Sequence, residues 1–507
     1  MDNSSSTDNQ EQTPEFGKLR QMFWPIHRHE LKKFLPMSML MFCILFVYTM
    51  VRDLKDSFIQ HYAVCGGAEL LPILKLFFVM PAAFLAVMLF TFLISKFGST
   101  KTFYIMVSIF IAFYAVFVLF LFPNVSWLHA NAETVRHLQE VCPKFLYFTI
   151  PCITNWSYTL FYVMSEIWGT IAIQSLFWQL ANKITKSSET KRFYGLYSLI
   201  SSVGTVCSGG LLRAMSHARG EAFDRNVKIL IGLCILLATT TLIIFKYINT
   251  VVMTDRTLYN PHEIKVKKKK EKVDVFEGIR ILFKSPYIGF IAVIILSYGI
   301  ADNLIENMWK AQMRIAFSRP NDYARTMATH SILVGIFTIV VILLSTFILQ
   351  KFSWKFCASI PAVTMLLAGM VFFGMMVRSN HNHPTMFGRQ MHWIIAWLGV
   401  VMVAVTKSTK YSLFDSTKNM AYRPLDEDTK TKGQAAVEVI GSRTGKAGSA
   451  TINAALTNLV KAGSTISSHV YTIIVVFAMT LFGWLTAVSK LSKKYEAKLA
   501  ESAEEKE

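Results

Sequence analysis

The chain runs to 507 residues, 53% of them hydrophobic and 39 of them Phe, with a formal net charge of +20. A soluble globular domain is about 45–50% apolar even with Gly counted, so this composition excludes one and points to a membrane protein. Seven cysteines are scattered without C-x-x-C or metal spacing, which reads them as small buried hydrophobes rather than a zinc or redox framework.

In chain order, residues 1–30 come first, Ser-rich and carrying Asp2, Asp8, Glu11 and Glu15. They lack the basic start and apolar core of a secretory signal, and the Arg-rich, acid-poor make-up of a transit peptide. They are expected to form a disordered cytoplasmic segment of the mature protein. Apolar runs of about 20 residues, enough to cross a bilayer, then recur near 34–60, 70–96, 102–123, 145–180, 192–214 and 227–249. A second series follows near 285–316, 328–351, 355–378, 391–422, 433–461 and 468–490. The expected fold is therefore all-α, with 12 transmembrane helices in two six-helix halves, 31–249 and 285–490. A basic linker, 250–284, joins them, and a charged tail, 491–507, follows. Lys and Arg concentrate in the N-terminal segment, the linker, the tail and alternate loops, which puts both termini in the cytoplasm. The KKKK run of the linker reads as a topogenic signal, not a nucleic-acid site.

The halves repeat each other faintly. YTMVRDLKDSFIQ (48–60) lies on YGIADNLIENMWK (298–310), matching Tyr48 with Tyr298, Leu54 with Leu304 and Asp56 with Glu306. Duplicated six-helix halves are the mark of major-facilitator transporters, which bind substrate near the bilayer midplane between the repeats.

Ionisable residues inside these spans cost about 2.5–3.5 kcal/mol each by insertion scales, so function is their default reading. The first span holds Arg52, Asp53, Lys55 and Asp56, the second Lys75, and the fourth Glu166. Asp302, Glu306 and Lys310 follow in the seventh, Lys407, Lys410, Asp415 and Lys418 in the tenth, and Glu438, Arg443 and Lys446 in the eleventh. Lys75 and Lys418 lie near span ends, where snorkelling to the headgroups is an equal alternative. Arg52 with Lys55, Lys407 with Lys410, and Arg443 with Lys446 are spaced i, i+3 and share helix faces. Cation pairs on three helices repel unless a polyanion sits among them, and a di- or triphosphate fits, since Arg grips phosphate bidentately and Lys acts as a point charge. The phosphate-binding candidates are Lys55, Lys446, Arg52, Arg443 and Lys410; Glu166 and Glu306 are candidate gating carboxylates. Tyr162, Tyr298, Asn303 and Tyr411 are candidates to stack on or contact a nucleobase, against the plainer alternative of interhelical packing.

GSRTGKAGSA (441–450) imitates a phosphate-binding loop but fails it. A Walker A loop needs four residues between its glycines and a Ser or Thr after the Lys. Here three residues separate Gly441 from Gly445, and Ala447 follows Lys446. An ATP-hydrolysing enzyme is disfavoured on that ground. His381, His383 and His392 share no Cys or carboxylate partners, so no metal site is expected there.

KYSLFDSTKNMAYRPLDEDTKTKGQAAVEVIGSRTGKAGSA (410–450) closely resembles the signature region of the ATP/ADP translocases of obligate intracellular bacteria and plant plastids. WPIHRHELKKFLPM (24–37), RDLKDS (52–57), SEIWG (165–169) and ANKITKSSETKRFYGL (181–196) resemble that family too, and the lack of a transit peptide favours its bacterial branch, chlamydial members most. The resemblance implies transport roles for Lys55, Glu166, Glu306 and Lys446, each already marked by its cost in a bilayer. It implies a multi-pass inner-membrane antiporter that takes up host ATP, or another NTP, against ADP, acting as a monomer without a cofactor. The alternatives are a proton-coupled importer and an exchanger of UTP, GTP or NAD. Departures from the family pattern bear on which nucleotide is carried: YSLISS puts Ser202 where Asn is usual, Asn419 replaces a Glu, Arg423 an apolar residue, and GKAGSA replaces GKSGGA.

Overall fold

The computed structural model describes residues 26–255, 257–259, 285–380, 385–386, 389–422, 424–425, 437, 445, 447–460 and 464–504. Arg423, Glu438, Arg443, Lys446, His381 and His383 lie outside the described residues, as do most of the N-terminal segment and most of the basic linker.

Among the described residues the regular structure is helical apart from a short antiparallel ladder, Thr385–Met386 with Arg389–Gln390. Its long helices are α1 (Leu31–Tyr62), α2 (70–97), α3 (99–121), α4 (Trp156–Ile184), α5 (Ser187–Met215) and α6 (Glu221–Val252). They continue with α7 (Pro286–Ala316), α8 (Pro320–Lys351), α9 (Trp354–Asn380), α10 (Met391–Ala421), α11 (447–460) and α12 (Val470–Glu504). Among the described residues, ten continuous helical segments are long and apolar enough to cross a membrane. The sequence leads one to expect more. One difference is that α2 and α3 run together as a 52-residue segment, Leu70–Leu121. At 1.5 Å per residue that is roughly 78 Å, far beyond a hydrocarbon core of about 30 Å. Gly98, at φ 76° and ψ 169°, breaks the helix in a conformation that residues with a Cβ seldom adopt. The other difference is that the expected span 433–461 is described only in part. α12 carries helix on past the expected span end at 490, to Glu504.

Local signals set the ends. α7 and α8 each open with a Pro in the first turn, where the missing N–H costs nothing, and the Ser285 hydroxyl accepts from the Ile288 N–H at 3.5 Å. Short π-helical turns interrupt several helices, including Leu74–Val79 in α2, Gly169–Phe177 in α4 and Lys410–Phe414 in α10. Such turns are frequent at functional sites, and here they carry or adjoin Lys75, Glu166 and Lys410.

Buried apolar side chains form two clusters. One draws almost wholly on residues 26–258, with Phe34, Phe58, Phe161 and Trp168 fully buried. The second draws on residues 287–495, with Trp309 and Trp484 at its centre. Large apolar side chains such as Phe84, Leu85, Leu119 and Phe482 stand exposed on the outside, as lipid contact requires.

Candidate functional site

The end of α1 brings four charges into two helical turns. Lys55 Nζ lies 3.0 Å from Glu166 Oε1 of α4 and 3.3 Å from Asp56 Oδ1, and 3.6 Å from the centre of the Tyr162 ring. Asp56 Oδ2 takes Lys310 Nζ of α7 at 2.8 Å. Lys310 also meets Glu306 Oε1 at 2.6 Å, and Glu306 Oε2 meets Lys407 Nζ of α10 at 2.8 Å. The result is an alternating chain, Glu166–Lys55–Asp56–Lys310–Glu306–Lys407, running through four helices. Burying any one of these ions alone costs several kcal/mol, and alternation compensates each with a neighbour of opposite sign. Beside it, Arg52 bonds Asp53 at 3.1 Å and the Ser331 hydroxyl of α8 at 2.8 Å, while that hydroxyl donates to Asp53 Oδ2 at 2.5 Å.

Asp53 and Asp56 are fully buried, but both ends of the chain keep access: 24% exposed for Glu166, 15% for Glu306 and 12% for Lys407.

Of the residues expected from sequence, Lys55, Glu166 and Glu306 thus share one network, with Arg52 adjoining it and Tyr162 beneath the Lys55 ammonium. Lys410 stands apart from Lys407, paired with Asp415 at 3.3 Å and lying over the Tyr411 ring at 4.5 Å. Tyr298 packs against Phe414 and Trp484, with ring centres 4.9 and 6.0 Å away. Asn303 accepts from Lys75 at 2.8 Å and donates to Gly299 O at 2.9 Å. Arg443 and Lys446 lie outside the described residues; neighbouring Gly445 sits against Gly299 and Leu296 of α7. His392, apart from the site, meets Gln312 Oε1 at 2.7 Å.

Sequence reasoning passed over Asp56, Lys310 and Lys407 as site residues, although each carried the signal of a charge in an apolar run. It also left Lys75 open to snorkelling. The Lys75 amine instead turns inward, to Asn303 and Asn307 of α7.

Contacts between the two helix sets gather at one end of the molecule. Ser57 donates to Pro320 O at 3.4 Å, Gln60 to the Tyr323 hydroxyl at 2.6 Å, and Arg213 to the Thr329 hydroxyl. Asn321 donates to Ser216 O at 3.4 Å, and the Ile466 N–H to Glu69 at 3.3 Å. At the opposite end, α1 is tied within its own set: Lys33 to Glu189 at 2.6 Å and to Leu258 O at 3.1 Å, and Glu30 to both guanidinium nitrogens of Arg192. Burial by itself would raise the Glu30 pKa, but the Arg192 guanidinium and the His27 N–H hold it below the usual carboxylate value.

The sequence that builds this arrangement matches known transport proteins. A family model described as TLC ATP/ADP transporter matches residues 9–495. The chain belongs to that family. Among its relatives, ADP,ATP carrier protein 1 of Chlamydia muridarum (strain MoPn / Nigg) is 37% identical over 501 residues, covering 97% of this chain and 93% of the relative. ADP,ATP carrier protein 1 of Rickettsia bellii (strain RML369-C) is 34% identical over 485 residues, covering 95% and 96%. Among solved structures, a D-xylose-proton symporter superposes with a TM-score of 0.58 at 13% identity, covering 90% of this chain and 96% of that one. A bacterial homologue of the iron transporter ferroportin gives 0.54 at 13%, covering 92% and 100%. These likenesses carry the fold, that of a major-facilitator-like transporter. This TLC ATP/ADP transporter family member is a multi-pass membrane protein and not an enzyme.

Proposed function

We propose that this chain is an alternating-access nucleotide exchanger that takes up ATP, or another nucleoside triphosphate, against ADP. Twelve spans in two halves belong to that reading: the ten continuous segments would gain one by division at Gly98 and another from 433–461, of which α11 is a helical part. The two apolar clusters divide the chain near the basic linker. With both termini cytoplasmic, the end sealed by Gln60 and Tyr323 faces outward, and the structure corresponds to an inward-facing state. The relatives' organisms favour the inner membrane of an obligate intracellular bacterium. One chain encloses both halves of the path, which favours a functional monomer.

The single observation that carries the mechanism is Lys310 held between Asp56 of one half and Glu306 of the other. Opening the outer side must part Lys310 from Asp56, leaving buried charge uncompensated at a cost of several kcal/mol. A polyphosphate entering the site can take the place of Asp56, so the loaded carrier crosses more easily than the empty one. Lys55 and Arg52, with Lys446, Arg443 and Lys410, supply further positive charge; Glu166 and Glu306 neutralise the site when it is empty. The test is uptake of labelled ATP into proteoliposomes with and without internal ADP, with and without a protonophore. Exchange requires internal nucleotide and tolerates the protonophore. Uptake into empty vesicles that collapses with the protonophore would assign proton coupling instead, and no uptake would end the reading.

A further inference from the structure

Among the described residues, Lys75 differs from the other cations at the site. Arg52, Lys55, Lys310 and Lys407 each have a carboxylate within 3.3 Å. Lys75 leaves the π turn of α2 and donates only to amide oxygens, Asn303 Oδ1 at 2.8 Å and Asn307 Oδ1 at 3.4 Å, on a helix of the other set. Asn307 is fully buried, and its Nδ2 has no hydrogen-bond partner among the described residues. An unused N–H donor therefore sits beside an ammonium whose hydrogen-bond partners are neutral amides. Such a donor, buried and unmatched, costs about 1–3 kcal/mol unless something comes to accept from it.

An incoming phosphate must displace a carboxylate from Lys55, Lys310 or Lys407 before it can use their charge. At Lys75 it displaces only an amide oxygen. We propose that Lys75 and Asn307 form an anion-receiving subsite that takes the terminal phosphate oxygens of the nucleotide first, Lys75 as the charge and the Asn307 N–H as a directional donor. Because the Lys75 contacts also tie α2 to α7, seating the phosphate there replaces a contact between the helix sets with a contact to substrate. Recognition is thereby joined to release of the closed side. This deepens the exchange reading and rests on it.

The decisive substitution is Asn307→Asp, which keeps the lysine and gives it the carboxylate partner it lacks. Wild-type, N307D, Lys75→Gln and Lys75→Arg proteins are reconstituted, and KM and kcat for ATP and ADP exchange are measured alongside thermal melting in detergent. N307D and K75Q are expected to raise KM for both nucleotides about tenfold. N307D should melt no lower than wild type, and K75R should stay near wild type in KM. A purely structural Lys75 predicts the opposite for N307D: the new ion pair is tolerated and KM holds. An N307D KM within twofold of wild type overturns the subsite, and this arm decides even if K75Q fails to fold. Absence of exchange by the wild-type protein would instead count against the exchanger reading itself.

Discussion

At the scale of single residues, the pairing of Asp56 with Lys310 asks most of the protein. Both side chains are nearly or fully buried, and removing one partner of a buried pair costs about 3–5 kcal/mol because the other charge stays behind. Asp56→Asn should therefore lower both the melting temperature and the exchange rate, whereas Asp56→Asn with Lys310→Gln removes the charge left behind, keeps Lys55 on Glu166 and Glu306 on Lys407, and should recover part of the stability; melting curves of single and double variants decide it. The internal repeat gave a hint of this arrangement. It matches Asp56 with Glu306, and those two carboxylates grip the same lysine. Lys55, Glu166 and Glu306 were legible because a charge in an apolar run is visible in one dimension. Which charges pair was not, since Lys310 joins helices whose separation no spacing rule records. Lys75 was harder still: its meaning lies in having amides for neighbours, a fact of three-dimensional packing. At the start of α1, the lowered pKa of Glu30 predicts a pH effect. A carboxyl held below its unfolded value adds stability above that value and loses it as the pH falls through the folded one. Glu30→Gln should flatten the acid limb of the melting profile, and an unchanged limb would remove Glu30 from that role.

At the scale of elements, α5 and α8 cross closely enough to need glycine. A Cβ on Gly335 would lie 2.5 Å from Val206 Cγ2 and 2.9 Å from Ser202 O, distances that force the backbones apart. Small residues at such crossings let helices meet in lipid, where apolar attraction alone does not select partners. Ser202, noted as a departure from its family's Asn, keeps its hydroxyl on Ser198 O at 3.1 Å and contributes its carbonyl to this crossing. Gly335→Leu is expected to lower exchange several-fold and to lower the melting temperature, while Gly210→Leu, where a Cβ meets nothing within 4 Å, is expected to leave both near wild type. Equal effects of the two would refute the crossing as a constraint. Spanning helices were legible in sequence because hydropathy over about 20 residues is a strong signal. Their ends were less so. The break at Gly98 is a backbone event inside one apolar stretch, and α8 begins at Pro320, eight residues before the expected 328, in a polar turn that hydropathy cannot mark.

At the scale of the whole molecule, the reading of an inward-facing state makes a claim about access that can be tested from each side of a membrane. Gln60 is buried at the sealed end, bonded to Tyr323 across the two helix sets, whereas Trp127, near the same end, is 79% exposed. Lys410 keeps 27% of its side chain accessible on the far side of the ion chain. Cysteines placed singly at 60, 127 and 410, with the native thiols replaced, should report these differences to a membrane-impermeant maleimide. In nucleotide-free vesicles, Trp127→Cys should label quickly from outside and Gln60→Cys at least about tenfold more slowly, since its exposure requires the pairs joining the helix sets to part. Lys410→Cys should label from the cytoplasmic face only. Supplying nucleotide to both sides lets the carrier cycle, so labelling at 60 should then speed up, and it should do so less in a Lys310→Gln background, where no ammonium remains to pass from Asp56 to phosphate. Fast labelling at 60 without nucleotide would mean that the sealed end does not dominate at rest. Labelling that ignores nucleotide altogether would detach the seal from transport, because a ligand shifts a conformational equilibrium only as far as it prefers one state over the other.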